Sequence, residues 1–281
     1  MKNLSEKSLL VNLNIGTWSA RKYDRKVTQE VNDKHGSTDA GRFNKLLIAS
    51  KYLEAITKIA NAARVFHYEN TLPWSDAGER LLPSDNYFEY TSELSKLKNQ
   101  FESEVNNFAN LYPAMVSEAK INLNGLFNPL DYPVNVSEKF RIKTSFMPVP
   151  DIADLRINLS ENEVNDLTKQ IQDEMNERFA ASQRNIYERI AEQLKHMKER
   201  LTDKDATFRN SLFENVLSLV DLLPRLNVAN DSNIVSICQE LKSLYCDPET
   251  VRTSKRLRSE KAQEVENMLS KLDAFLKPVK A

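Results

Sequence analysis

Residues 160–201 constrain the fold more than any other stretch. Val164, Leu167, Ile171, Met175, Phe179, Ser182, Ile186, Ile190, Leu194, Met197 and Leu201 recur about every 3.7 residues, which keeps them on one face of a nearly straight helix. No glycine or proline interrupts them, so one rod of roughly 55 Å is expected at about 1.5 Å per residue. Ser160 and Glu163 form a capping box at its start. Acidic side chains crowd the first half and basic ones the second, the order that suits the helix dipole. So narrow an apolar seam on so long a helix requires a partner. The expected partners are the helix that begins near Asn86, in an antiparallel pair, or a second copy of the chain.

Elsewhere the spacing of apolar residues sets out mostly helices. Val11, Leu13 and Ile15 alternate with Asn12 and Asn14 over residues 9–15, a half-buried strand. Gly16 ends it, and Ser19 is the expected cap of a helix carrying Ala20, Tyr23, Val27 and Val31 as far as Gly36. A longer helix is expected over residues 43–66, with Trp18 buried against it and Arg21 and Lys22 facing outward. Residues 70–83 read as a long connection, of the kind that often carries function. A helix restarts at Ser84 with Phe88, Leu94, Leu97, Phe101, Val105, Phe108 and Leu111 inward, and Pro113 either kinks it or opens a new one. Residues 140–147 alternate as a second strand, and residues 155–157 suit a third. Helices then follow over residues 208–223, 234–244 and 248–276, the last entered through Asp247 and Pro248. The fold class is mostly α, with long antiparallel, coiled-coil-like helices and a small β-sheet at one end. The expected organisation is a helical domain with the sheet (1–157), the long helix (158–205) and a C-terminal helical segment (206–281).

Composition narrows the chemistry. Five glycines in 281 residues leave no Walker-A loop and no dinucleotide fingerprint. His35, His67 and His196 lie far apart in no metal-binding spacing. Asp203 and Asp205 are too few for an oxygen-ligated cation site, and no serine sits in a nucleophile elbow. No catalytic residue, cofactor or metal is expected, and an enzyme is not. Cys238 and Cys246 stand in no redox spacing, which suits reduced thiols in a cytosolic protein. No apolar run is long enough for a membrane span. The net charge is −1, so any binding to a polyanion has to come from local patches.

Three patches stand out. Arg21, Lys22, Arg25 and Lys26 surround Tyr23; Lys139, Arg141 and Lys143 alternate around the second strand; Arg252, Lys255, Arg256, Arg258 and Lys261 crowd one helix. Bases beside aromatics are what a phosphate backbone and stacked bases require. The competing reading is a solvated face whose charges pair with acids and add little stability. The candidate nucleic-acid-binding residues are Arg21, Lys22, Arg25, Lys139, Arg141, Lys143, Arg252, Arg256 and Arg258.

The run Leu13-Asn14-Ile15-Gly16-Thr17-Trp18-Ser19-Ala20-Arg21-Lys22, with Asn70-Thr71-Leu72-Pro73-Trp74, Asp131-Tyr132-Pro133 and Pro148-Val149-Pro150, resembles a tailed-phage and mobile-element protein family, a domain of unknown function. Its members share a strand followed by Trp-(Ser/Thr)-(Gly/Ala)-Arg-Lys; this chain has Ala20 where relatives often carry glycine. The resemblance implies a phage-encoded protein in the host cytoplasm, and some members are encoded near replication and recombination genes or MoxR-type ATPases. Two functions are therefore expected to compete. One is a non-enzymatic protein of phage DNA metabolism or counter-defence that binds nucleic acid as an oligomer through the long helix. The other is a protein-only adaptor or inhibitor of a host factor or a MoxR-like ATPase.

Overall fold

A computed structural model describes residues 2–151, 160–203 and 208–276. In chain order its elements are α1 (Lys2–Lys7), β1 (Ser8–Gly16), β2 (Arg21–Tyr23), α2 (Arg25–Lys34), β3 (Asn44–Leu46), α3 (Glu54–Glu69), β4 (Leu72–Pro73), β5 (Arg80–Pro83), α4 (Ser84–Leu123), β6 (Arg141–Pro148), α5 (Glu161–Thr202), α6 (Ser211–Leu226), α7 (Ser232–Leu244), α8 (Pro248–Thr253) and α9 (Lys255–Leu276). The protein is mostly α. A small sheet has the order β4-β5-β1-β6, and β2 and β3 form a separate two-stranded ribbon. Among the described residues no helix is long and apolar enough to cross a membrane. The strand expected at residues 155–157 lies outside the described residues.

Two compact units are interleaved along the chain rather than consecutive. The first comprises Met1–Asn12, Tyr68–Tyr90 and Ser145–Ala281; the second comprises Leu13–His67 and Thr91–Thr144.

The first unit is built on α5. The Glu163 carboxylate accepts from the Ser160 amide at 3.0 Å and from its hydroxyl at 2.6 Å, and these bonds hold its pKa below the ordinary range. Ile186, Ile190, Leu194 and Met197 are fully enclosed, whereas Val164 and Leu167 are only partly covered. The chief partner of α5 within this unit is α9, with β4 and α6 beside it. The two long helices run antiparallel: Arg258 meets the end of α5, Lys198 pairs with Glu266, and Arg184 donates to the Leu276 carbonyl. Their seam closes on Val265, Met268 and Leu272 together with Leu212, Val216 and Leu223 of α6. Cys238 and Cys246 are free thiols in or against this core.

Residues 70–83 are a connection only in part: two short strands, β4 and β5, flank an irregular turn at residues 74–79. Leu72, Trp74, Leu81 and Leu82 are buried, and β5 pairs antiparallel with β1 from Ser8↔Pro83 to Val11↔Arg80 and with β4 through Leu72↔Leu81. A strand covered on both faces shows a short apolar run without alternation, so periodicity does not reveal it.

The second unit packs Ile48, Leu53, Ile56 and Ala60 against Phe101, Val105, Phe108, Tyr112 and Met115 of α4. α4 passes through Pro113 without a break. Trp18 is half-buried, edge-on to Tyr112 at 6.1 Å; its ring partner is α4 rather than the helix expected over residues 43–66, which begins only at Glu54. Nor does a helix start at Ser19. Ala20 is buried with φ 50°, a left-handed conformation that cannot lead into a right-handed helix and that glycine adopts most easily. The chain enters β2 instead, and Asp24 caps α2 by accepting from the amides of Lys26 and Val27 at 3.1 and 3.2 Å.

Candidate nucleic-acid interface

In the second unit β2 pairs with β3 through Arg21↔Leu46, Lys22↔Lys45 and Tyr23↔Asn44. The bonds Leu47 N–H to Ala20 carbonyl (2.7 Å) and Asp24 N–H to Phe43 carbonyl (3.0 Å) close the ribbon at both ends. Arg21, Lys22, Tyr23, Arg25 and Lys26 are all exposed on it or on the first turn of α2. Arg42 lies 6.0 Å from the Tyr23 ring centroid.

Lys45 decides the charge of this surface. Its side chain, only 7% exposed, places Nζ 2.6 Å from Asp131 Oδ2, 3.3 Å from Asp24 Oδ2 and 3.1 Å from the Leu126 carbonyl. The Asp131 hydrogen bond, against the cost of burial, holds its pKa above the ordinary lysine value. The Asp24 carboxyl is held below its ordinary value, chiefly by the Val27 amide and further by Lys45. Asp24, the one acid inside the run of bases, is thus matched from within. Arg21, Lys22 and Arg25 make no ion pair among the described residues, and Lys26 has only Glu30 at 4.0 Å.

The second patch shares this unit. Lys139 and Lys143 are exposed. Arg141 extends over Gly16, with its Cγ 3.0 Å from where a Cβ would stand, and donates from Nε to Asn14 at 2.8 Å. It is exposed but anchored.

The third patch lies in the first unit, and two of its three arginines, Arg252 and Arg258, are not part of a solvated face. Arg258 donates from Nε to the Leu201 carbonyl (2.9 Å) and from Nη2 to those of Arg200 (2.7 Å) and Asp203. These are carbonyls at the C-terminus of α5, where the dipole favours a cation. Arg252 donates to the Phe208 carbonyl (2.9 Å) and Asn210 (2.5 Å) and pairs with Glu249. Both guanidiniums lie near the Phe208 ring, at 5.3 and 5.4 Å. Arg256 is exposed and paired with Glu260. Two of the three candidates here, Arg252 and Arg258, hold backbone together, so they are not the dispensable charges of a solvated face. Arg258→Ala is expected to cost about 2 kcal/mol in chemical denaturation, the scale of losing charge-assisted hydrogen bonds to backbone, while Arg256→Ala leaves the midpoint unchanged.

Of the histidines, His35 caps α2, His67 is buried in the last turn of α3, and His196 is exposed on α5. Among the described residues no three His, Cys, Asp or Glu side chains gather to hold a metal ion. No local pattern in the sequence marks Lys45, because its partners Asp24, Asp131 and the Leu126 carbonyl are brought to it only by the fold. No protein-family model, curated protein or solved structure matches the chain.

Proposed function

We propose that this is a non-enzymatic nucleic-acid-binding protein whose interface is the β2 ribbon and the start of α2, with Lys139, Arg141 and Lys143 as further contacts of the same unit. One observation carries the reading: Arg21, Lys22 and Arg25 stand exposed around Tyr23 and, among the described residues, unpaired, while Lys45 takes up the charge of Asp24. Such bases neutralise phosphates and release counterions, and an exposed ring offers a base a stacking surface. The setting suggested by the motifs of residues 13–22 and 70–74 is phage DNA metabolism or counter-defence in the host cytoplasm. Self-association through the first half of α5 belongs to the proposal, since Val164 and Leu167 remain partly exposed on the seam. Gel shifts on single-stranded and duplex DNA across a salt series test the binding. The expected result is little sequence preference and a log–log salt slope of about −2 to −3 if the ribbon bases alone neutralise phosphates, rising to about −4 to −5 with Lys139, Arg141 and Lys143 engaged.

A second reading rests on Ile121, Leu130 and Val134, which are 80%, 90% and 105% exposed in the same unit. Apolar side chains this open suit a protein partner, and the absence of any shifted band at low salt would favour an adaptor of a host factor or a MoxR-like ATPase.

A further inference from the structure

Two arginines of the first unit stand side by side without a carboxylate. Arg189, on α5, donates from Nε to Asn185 (2.8 Å), from Nη1 to the Glu69 carbonyl (2.5 Å), and from Nη2 to the carbonyls of Tyr68 (2.9 Å) and Thr71 (2.6 Å). Arg80, on β5, donates from Nε to Thr71 Oγ1 (2.6 Å) and from Nη2 to the carbonyls of Tyr68 (3.3 Å) and Thr71 (3.0 Å), and lies 4.7 Å over the Tyr68 ring. Sharing the Tyr68 and Thr71 carbonyls brings the two cations together. Neither has an acid within 4.0 Å among the described residues. Burial lowers the pKa of both, and that of Arg189 falls to about 10, with the Arg80 charge as a second cause and the more distant Glu69 carboxylate opposing it. The carbonyls they cap supply only partial negative charge, so the fold holds a like-charge pair that an anion would relieve.

Both arginines line a cavity of about 740 Å³ with Asn215 and Ser218 of α6 and Gln193 of α5. Glu69 and Glu192 also line it, but both are exposed. A guanidinium has five N–H donors. The bonds above leave both Nη1 hydrogens of Arg80 and one of Arg189 without an acceptor among the described residues. No two-nitrogen edge remains whole on either group, so the flat fork that a carboxylate prefers is taken up by the backbone. A tetrahedral dianion can instead accept single bonds from donors on two planes. The cavity is of the size that encloses an organic molecule rather than a bare ion.

We propose that this cavity binds a small organic phosphate, its phosphoryl group on Arg80 and Arg189 and its remainder against α6. The site lies in the first unit and is independent of the β2 ribbon. Isothermal titration of the full chain with AMP, inorganic phosphate, adenosine and malonate at matched ionic strength tests it. AMP and phosphate are expected to bind, AMP more tightly, while adenosine and malonate do not. Arg80→Gln should weaken AMP by about tenfold or more. Ser218→Asp places a negative charge in the cavity at an exposed position whose hydroxyl, among the described residues, bonds only to the Glu214 carbonyl of its own helix, at 3.1 Å. It should weaken AMP equally in a protein with an unchanged thermal midpoint. Absence of AMP binding, binding unaltered by Ser218→Asp, or equal binding of malonate would overturn the proposal.

Discussion

Lys45→Met is expected to destabilise the second unit by about 3 kcal/mol, the scale of removing one partner from a buried charge cluster. Methionine fills much of the lysine volume, so packing is not the main loss. What is lost is the cation between Asp24 and Asp131 and the donor to the Leu126 carbonyl, and two carboxylates, Asp131 nearly covered and Asp24 partly so, are left without it. The effect has a pH signature. In the wild-type protein the Asp24 carboxyl is depressed, so its contribution is present above the ordinary aspartate pKa and is lost as pH falls through the lower, folded value. In the variant, protonation removes a stranded charge, so acid favours the variant's folded state relative to neutral pH. Urea unfolding at neutral pH and near pH 4 should therefore show a gap that narrows on acidification. A gap that is small at neutral pH would mean that Lys45 is not the counter-charge of Asp24.

Leu194→Ala is the second large effect, at about 3 to 4 kcal/mol, because a fully enclosed leucine leaves a cavity that its neighbours only partly fill. Leu194 is 0% exposed on the half of α5 covered by α9 and α6 within the first unit. Val164→Ala, on the partly exposed half of the same seam, should cost less than about 1 kcal/mol at high dilution. If the chain self-associates there, that cost grows with protein concentration. Equal costs at the two positions would show that the seam is covered uniformly and would remove the case for self-association.

What the sequence made legible follows from the range of each signal. The capping box at Ser160 and the spacing from Met175 to Leu201 act within a few residues, and the helix and its buried face are where they place them. The strand at residues 141–148 was legible too, since Ile142 and Thr144 are more covered than Arg141 and Lys143, although the alternation stops there and Phe146 is exposed. Its alternation is local too. Ala20 shows the limit: nothing nearby marks a left-handed residue, and Asp24 rather than Ser19 supplies the cap. β5 was hidden because Leu81 and Leu82 are both buried, so no polar face alternates with an apolar one. The interleaving of the two units, the match of Lys45 to Asp24 and Asp131, and the capping of α5 by Arg258 all join residues far apart in the chain. Composition marked the bases at residues 252–258 but not what they touch.

On the proposed reading the bases of the β2 ribbon and the start of α2, unpaired among the described residues, contact nucleic acid, and the arginines of α8 and α9 do not. The measurement that bears on it most directly is the salt dependence of single-stranded DNA binding by the wild-type protein, the combined Arg21→Ala, Lys22→Ala, Arg25→Ala variant, and Arg256→Ala, each checked for an unchanged unfolding midpoint. The expected result is a salt slope reduced by roughly 2 in the triple variant, about 0.7 for each phosphate contact removed, and one unchanged in Arg256→Ala. A triple variant that binds with the wild-type slope and affinity would contradict the claim.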